Sequence, residues 1–237
     1  MPNLPSIRTV KGDPRMAADM TAAEAVRDER GVRIAMFDPE TMSDEQRKVY
    51  EAIMGGPRKS LIGPLRAVLH SPDLADRWQR LGEYVRYMTC IPPRLKELAI
   101  LATARRWNSD VEWSIHRGFA ESSGFDTAII EAVKEGRFPD FGEDEQREVY
   151  TFAQEILNTG HVRDDAYAAV RRRWGDRGVV ELTSIIGYYS MVAMMLNAHH
   201  VPLPPGVNSN LGEVQVEAGL FELPAAPTSR AQGGQGS

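Results

Sequence analysis

The segment that decides the fold is PPRLKELAILATARRWNSDVEWSIH, residues 92–116. The pair Pro92–Pro93 breaks the preceding chain and puts a proline in the first turn of a new helix, where its missing N–H costs nothing. That helix is apolar on every side over Leu98–Ala104, so other elements must cover it all round. Ser109 or Asp110 then caps a second helix. The segment therefore predicts two consecutive helices, the first of them in the core.

Helical patterns continue on both sides of this segment. Ser43 and Gln46 form a capping-box start, and Ser71 precedes a proline that begins another helix. Strand-like alternation of apolar and polar residues is absent, and the connections are short. We therefore predict an all-α bundle, with further helices over 126–135, 143–158, 164–174 and 177–199.

The helical pattern divides the chain into one domain and two flanks. Residues 1–40 mix prolines, charges and small residues without a period, so we predict an arm with little regular structure. Residues 41–200 form the helical domain. Residues 201–237 are rich in proline and predict a tail that is extended where it is ordered.

Composition narrows the class of protein. Hydrophobic residues make up 42% and charged residues 26%, and the net charge of −5 argues against a nucleic-acid partner. The single cysteine, Cys90, cannot close an intramolecular disulfide, and residues 1–16 lack the apolar core of a signal peptide. The uncharged stretch Leu182–Ala198 is marginal for a membrane span and suits a buried helix better. We expect a cytoplasmic protein with no membrane partner.

Two segments are apolar on every side of the predicted helix, Leu98–Ala104 and Leu182–Ala198. A domain of this size has limited interior in which to bury two such helices. Subunit contacts would cover the remainder, so the pattern predicts a homo-oligomer.

Glu97 lies near the start of the first apolar helix, and its face carries Ile100, Leu101 and Ala104. A carboxylate over such a surface loses hydration, which favours its neutral form and suits it to proton transfer. The alternative is that Glu97 simply complements the helix dipole and reaches solvent.

Glu112 and His116 are four residues apart and share one face of the next helix. A histidine held by a carboxylate is a usable general acid–base, and Trp113 beside the pair would help to exclude water. An ordinary surface ion pair has the same spacing. A metal site is disfavoured, because the sequence holds no matching Glu-x-x-His or His-x-x-x-His motif.

Three further residues are candidates for substrate contact. Tyr188 and Asn197 lie in the apolar helix, where their polar atoms need partners from the core or from a substrate. His199 follows that helix and could enter a pocket or cap the helix end.

The residues around Glu97 and His116 resemble the carboxymuconolactone decarboxylase family, within the superfamily of alkylhydroperoxidase D-like (AhpD-like) proteins. The resemblance covers roughly residues 40–206. Its motifs, in order, are Gly63–Arg66, His70–Ala75, Pro93–Leu101, Glu112–His116 and Asn197–Ala198. In the peroxidase branch, a Cys-x-x-Cys lies on the helix of the histidine, but those two positions here are Ser109 and Glu112. Without the thiolates, thiol peroxidase activity is disfavoured.

The decarboxylase branch implies a helical bundle assembled into trimers or hexamers, and a lyase of aromatic-compound breakdown. Its reaction removes CO₂ from a carboxylated lactone without a metal or organic cofactor. On that resemblance His116 would be the principal proton donor, Glu112 its orienting partner, and Glu97 a second acid–base group. Arg66 would anchor a substrate carboxylate or lactone oxygen. Another proton-transfer enzyme, an isomerase or hydrolase, or a non-catalytic oligomeric binding protein, also fits these residues.

Overall fold

The computed structural model describes residues 31–37, 39–212 and 219–227. Over these ranges the regular structure is entirely helical, which confirms the predicted all-α class. A short 3₁₀ helix spans Pro39–Thr41. The α-helices that follow are α1 (Asp44–Gly55), α2 (Pro64–Val68), α3 (Pro72–Tyr87), α4 (Pro93–Arg106), α5 (Asp110–Ser122), α6 (Thr127–Glu135), α7 (Asp144–Thr159) and α8 (Asp164–His199).

Local sequence signals account for most helix ends. The Ser43 hydroxyl accepts from the Gln46 amide at 3.3 Å, and the Gln46 side chain accepts from the Ser43 amide at 2.9 Å. Prolines begin α3 and α4 as predicted. Gly175 has φ 66° and ψ −171° inside α8, so this element consists of two helical arms, matching the two predicted helices. The five-residue α2 was not predicted, because so short a helix shows no periodicity.

Helix α4 is the centre of the bundle. Every residue of Leu98–Ala104 is at most 1% exposed, and the helix packs against α5, α6, α7 and α8. The single chain therefore covers α4 completely. The expectation that subunit contacts cover part of this helix is wrong for α4, because four neighbouring helices of the same chain already surround it.

Helix α8 is long and apolar enough to cross a membrane by length and composition alone. However, 56% of its most apolar stretch is buried inside the fold, and Leu182 and Ile185 are fully covered. This burial favours a core helix, as the sequence predicted.

Parts of both flanks pack on the helices without regular α-structure. In the arm, the Arg33 amide donates to the His199 carbonyl at 3.0 Å. In the tail, Leu223 is 1% exposed and exchanges hydrogen bonds with the Asn158 side chain at 2.9 and 3.2 Å. The rest of the predicted arm and tail, residues 1–30, 38, 213–218 and 228–237, lies outside the described residues. The domain boundaries stay a prediction.

Candidate active site

A cavity of about 370 Å³ lies between α3, α5, α8 and the segment that leads into α2. Its wall is mostly apolar and aromatic, with a few polar groups that point inward, as is usual for sites that bind small molecules. The residues that line it are Arg58, Ser60, Ile62, Gly63, Pro64, Leu65, Arg86, Tyr87, Glu112, Ile115, His116, Phe119, Tyr188, Tyr189, Val192 and Leu196.

His116 reaches the cavity from α5, and its partner lies on α4. Its Nδ1 is 2.6 Å from Oε2 of Glu97, and the two side chains are 9% and 12% exposed. When a carboxylate accepts from Nδ1, a neutral imidazole keeps its lone pair on Nε2. Glu97 does not line the cavity, so it acts through His116.

The other carboxyl oxygen of Glu97 faces the side chain of Arg86. Oε1 is 3.7 Å from Nη1 of Arg86, and that nitrogen donates to the Tyr189 hydroxyl at 3.2 Å. The Arg86 guanidinium also stands 4.5 Å from the centre of the Phe119 ring. The charge of Glu97 is thus compensated inside the fold, and its orientation toward His116 is fixed.

Glu112 is placed differently from the expectation. The side chain is buried, and neither carboxyl oxygen has a hydrogen-bond partner. The predicted hydrogen bond between Glu112 and His116 is therefore not formed, because Nδ1 of His116 pairs with Glu97 on α4 instead. Burial raises the pKa of Glu112 well above its ordinary value of 4.5, so the fold favours the neutral form of this carboxyl.

The pKa of His116 moves the opposite way. Burial lowers it, the hydrogen bond and charge of Glu97 offset part of this, and Arg86 and Arg58 lower it further. The imidazole is therefore neutral near pH 7 and is a base, whereas Glu112 is an acid. The cavity thus holds a proton acceptor and a proton donor at one pH.

The other predicted substrate contacts divide into two groups. Tyr188 lines the cavity. Arg66 instead donates to the Phe37 carbonyl at 3.4 Å, and Asn197 donates to the Trp107 carbonyl at 2.8 Å. Neither Arg66 nor Asn197 lines the cavity. Trp113 and His199 do not line it either, since the Trp113 indole is fully buried in the core and His199 is the last residue of α8.

Three cavity residues escaped the sequence reasoning, namely Arg58, Arg86 and Tyr189. Arg86 and Tyr189 are more than 100 positions apart, so no helical spacing links them. Arg58 follows a Gly-Gly-Pro break, where no periodic pattern exists.

Two alternatives from the sequence, a thiol peroxidase and a metal site, depend on where the relevant side chains lie. Ser109 is fully buried, and Cys90 lies beside Glu181, away from the residues that line the cavity. Burial, together with Glu181, raises the pKa of the Cys90 thiol and makes it a poor nucleophile. In the described part of the chain, no group of three His, Cys, Asp or Glu side chains is arranged to hold a metal ion.

No family model and no curated protein matches the chain. Solved structures do match it. An uncharacterized peroxidase-related protein from Silicibacter sp. TM1040 superimposes with a TM-score of 0.60 at 12% identity, over 79% of this chain and 96% of that protein. A peroxidase-related protein with an alkylhydroperoxidase AhpD core, from Ralstonia eutropha JMP134, gives 0.59 at 13% identity, over 73% and 93%.

A third similar structure is the debrominase Bmp8, with a TM-score of 0.55 at 16% identity, over 68% of this chain and 87% of that protein. A cysteine-to-alanine variant of Bmp8 also matches, in complex with 2,3,4-tribromopyrrole. Identities this low establish the fold and not the reaction. The chain has the AhpD-like helical fold.

Proposed function

We propose that this chain is an acid–base enzyme that acts on a small organic acid, and that its reaction is the decarboxylation of a carboxylated lactone or a related compound. The observation that carries the proposal is the pair of Glu112 and His116. They line one cavity, and burial moves their pKa values in opposite directions. Two groups whose pKa values are shifted in opposite directions can supply an acid and a base at the same pH.

The roles follow from these protonation states. Glu112 is the proton donor, because its buried carboxyl is neutral. His116 is the proton acceptor through Nε2, and Glu97 is the positioning residue that holds the imidazole from behind. This assignment exchanges the roles expected from sequence, where His116 was the donor and Glu112 its orienting partner.

The proposed reaction needs no cofactor, because an unsaturated lactone accepts electrons itself. The bond between the ring carbon and the carboxylate breaks, and its electron pair passes into the lactone to give a dienolate. Glu112 gives its proton to the dienolate carbon, and CO₂ leaves. A proton from solvent, relayed by His116, restores Glu112, so one proton is consumed in each turnover.

An isomerase is the second candidate, and the neutral state of His116 favours it. A base that faces a substrate carbon abstracts a proton, and the neutral Glu112 returns one at another carbon. A thiol peroxidase has less support, because no described residue that lines the cavity is a cysteine. The debrominase Bmp8 shows that a protein of this fold accommodates a small ring compound.

Turnover in D₂O separates the candidates. Carboxylated lactones are incubated with the protein while CO₂ release and deuterium incorporation are followed by mass spectrometry. A decarboxylase gives one CO₂ and one carbon-bound deuterium per product, whereas an isomerase incorporates deuterium without CO₂. His116→Ala and Glu112→Gln should each lower kcat by about 10²–10⁴-fold.

Arg66→Gln is the matched control, since Arg66 lies outside the cavity, and it should retain the wild-type rate. Full turnover by both His116→Ala and Glu112→Gln would refute the acid–base assignment.

We also propose that the chain assembles as a homo-oligomer, a trimer or hexamer as the family resemblance implies. Large apolar side chains are exposed on α3 and α8, among them Leu81, Tyr87, Val180 and Met194. A monomer rarely leaves such a surface uncovered. Light scattering coupled to size-exclusion chromatography tests this, and a monomer at micromolar concentration would exclude it.

A further inference from the structure

We propose that Arg58 and Tyr188 form a carboxylate-binding subsite in the wall of the cavity, and that the ligands are compact organic anions with a flat apolar body. The proposal rests on the function proposed above for the reaction that follows binding. Binding itself can be measured without turnover.

The first observation is that two nitrogens of the Arg58 guanidinium lack hydrogen-bond partners. Its Nε and Nη2 atoms are buried, and neither has a hydrogen-bond partner. Arg58 forms no ion pair with any carboxylate in the described part of the chain, in contrast to Arg86, which Glu97 compensates at 3.7 Å. Buried N–H groups without partners are costly, and the positive charge of the guanidinium has no carboxylate beside it, so an anion in the cavity would compensate that charge.

The second observation is the charge of the cavity. Glu112 is the sole carboxyl group among the described residues that line it, and burial favours the neutral form of that group. Glu97 lies behind His116 and is already opposite Arg86. The cavity therefore presents one unbalanced positive charge in a poorly hydrated space, where attraction to an anion is strong.

The third observation is Gly82, in the middle of α3. A Cβ built on Gly82 would overlap both the Tyr188 hydroxyl and Nη2 of Arg58. Glycine weakens a helix interior, so its presence here needs a reason. Its missing side chain allows Arg58 and Tyr188 to meet against the α3 backbone, which fixes two hydrogen-bond donors side by side.

The rest of the wall defines the body of the ligand. Apolar and aromatic side chains surround the remaining space, among them Ile62, Ile115, Phe119 and Leu196. The carboxylate held by Arg58 is one that the reaction leaves in place, because pairing with a guanidinium stabilises the charge that loss of CO₂ has to remove. Arg58 thus anchors the substrate, and Glu112 and His116 act on another part of it.

Isothermal titration calorimetry with benzoate, and with benzamide as its uncharged counterpart of the same shape, tests the subsite at pH 7.5. Wild-type protein should bind benzoate at least tenfold more tightly than benzamide. Arg58→Gln should reduce benzoate affinity to that for benzamide, and Gly82→Ala should weaken benzoate binding by displacing Arg58 and Tyr188. Arg58→Lys, which keeps the charge but loses the bidentate geometry, should fall between.

Two controls make the result specific. Arg66→Gln removes an arginine outside the cavity and should bind benzoate like the wild type. His116→Ala should also bind benzoate while losing turnover, which separates failure of the subsite from failure of the proposed reaction. Equal binding of benzoate and benzamide by the wild-type protein overturns the proposal without any variant. Unchanged benzoate binding by a folded Arg58→Gln, or loss of binding in Arg66→Gln, overturns it as well.

Discussion

Two buried carboxyl groups, Glu112 and Glu181, have opposite surroundings. Glu112 faces the cavity from α5 with neither oxygen partnered. Glu181 lies in α8 and accepts hydrogen bonds from the Tyr84 hydroxyl at 2.7 Å, from Nε of Arg177 at 2.8 Å and from the Cys90 amide. The two residues are 2% and 5% exposed, so neither side chain is open to solvent.

The carboxyl groups of Glu112 and Glu181 differ in the protonation state that their surroundings favour. Burial alone would raise the pKa of Glu181, but the hydrogen bonds from Arg177, the Cys90 amide and Tyr84 outweigh it and lower that pKa to about 2. Nothing outweighs burial at Glu112, whose pKa is raised. The carboxyl of Glu181, which joins α3 to α8, is thus held in its ionised form, whereas burial favours the neutral form of Glu112. The hydrogen-bond partners of Glu181, which Glu112 lacks, therefore distinguish the two carboxyl groups.

The largest expected effect follows removal of the charge on Glu181. Glu181→Gln should lower the free energy of unfolding at pH 7 by roughly 3 kcal/mol, because a pKa lowered from 4.5 to about 2 stores about that much. A lowered pKa stabilises the fold above pH 4.5, and this stabilisation is lost as the pH falls toward 2. Urea denaturation at pH 7 and at pH 3.5 measures both values.

Exposed Glu51 on α1 gives the matched control, and Glu51→Gln should change stability by less than about 0.5 kcal/mol. A Glu181→Gln deficit that is the same at pH 7 and pH 3.5 would contradict the charge-based account.

A change in stability of the opposite sign is expected when Glu112, in the cavity wall, is replaced. Glu112→Gln should stabilise the protein at pH 8.5 by up to about 2 kcal/mol, since it removes a carboxyl that would ionise without a partner. The sign follows from the raised pKa. The neutral form is favoured in the fold, so its stabilising contribution is complete below pH 4.5 and is lost as the pH rises. The gain over wild type should therefore shrink toward pH 5.

Urea denaturation at pH 5 and pH 8.5 gives the two differences, read beside Glu181→Gln under the same buffers. If Glu112→Gln is equally destabilised at both pH values, an unrecognised partner holds the carboxyl, and the contrast between the two residues fails.

The sequence predicted the frame of the fold because its signals are local. Prolines mark where α3 and α4 begin, and a helix that is apolar on every side indicates the core. The break in α8 was also predicted, since Gly175 separates two helical patterns. The packed position of the tail around Leu223 was not predicted, because composition alone does not show what an irregular segment contacts.

The site was predicted in part, for a related reason. Helical spacing brought Glu112 and His116 to one face and suggested that they pair. The structure pairs His116 with Glu97 instead, from the neighbouring helix, 19 positions away. Spacing within one helix shows which side chains share a face, but the choice of partner depends on how two helices pack. Arg58 and Arg86 became visible only through that packing.

The smallest expected effect concerns Arg177, one of the three donors to Glu181. Its side chain is 62% exposed, so water and salt screen its pairing with the carboxylate, and Arg177→Met should cost less than about 1 kcal/mol. That cost should fall further in 1 M NaCl. Thermal unfolding at low and high salt measures the difference. A salt-insensitive loss as large as that of Glu181→Gln would mean that the exposed guanidinium alone keeps Glu181 ionised, and that the Cys90 amide and the Tyr84 hydroxyl contribute little.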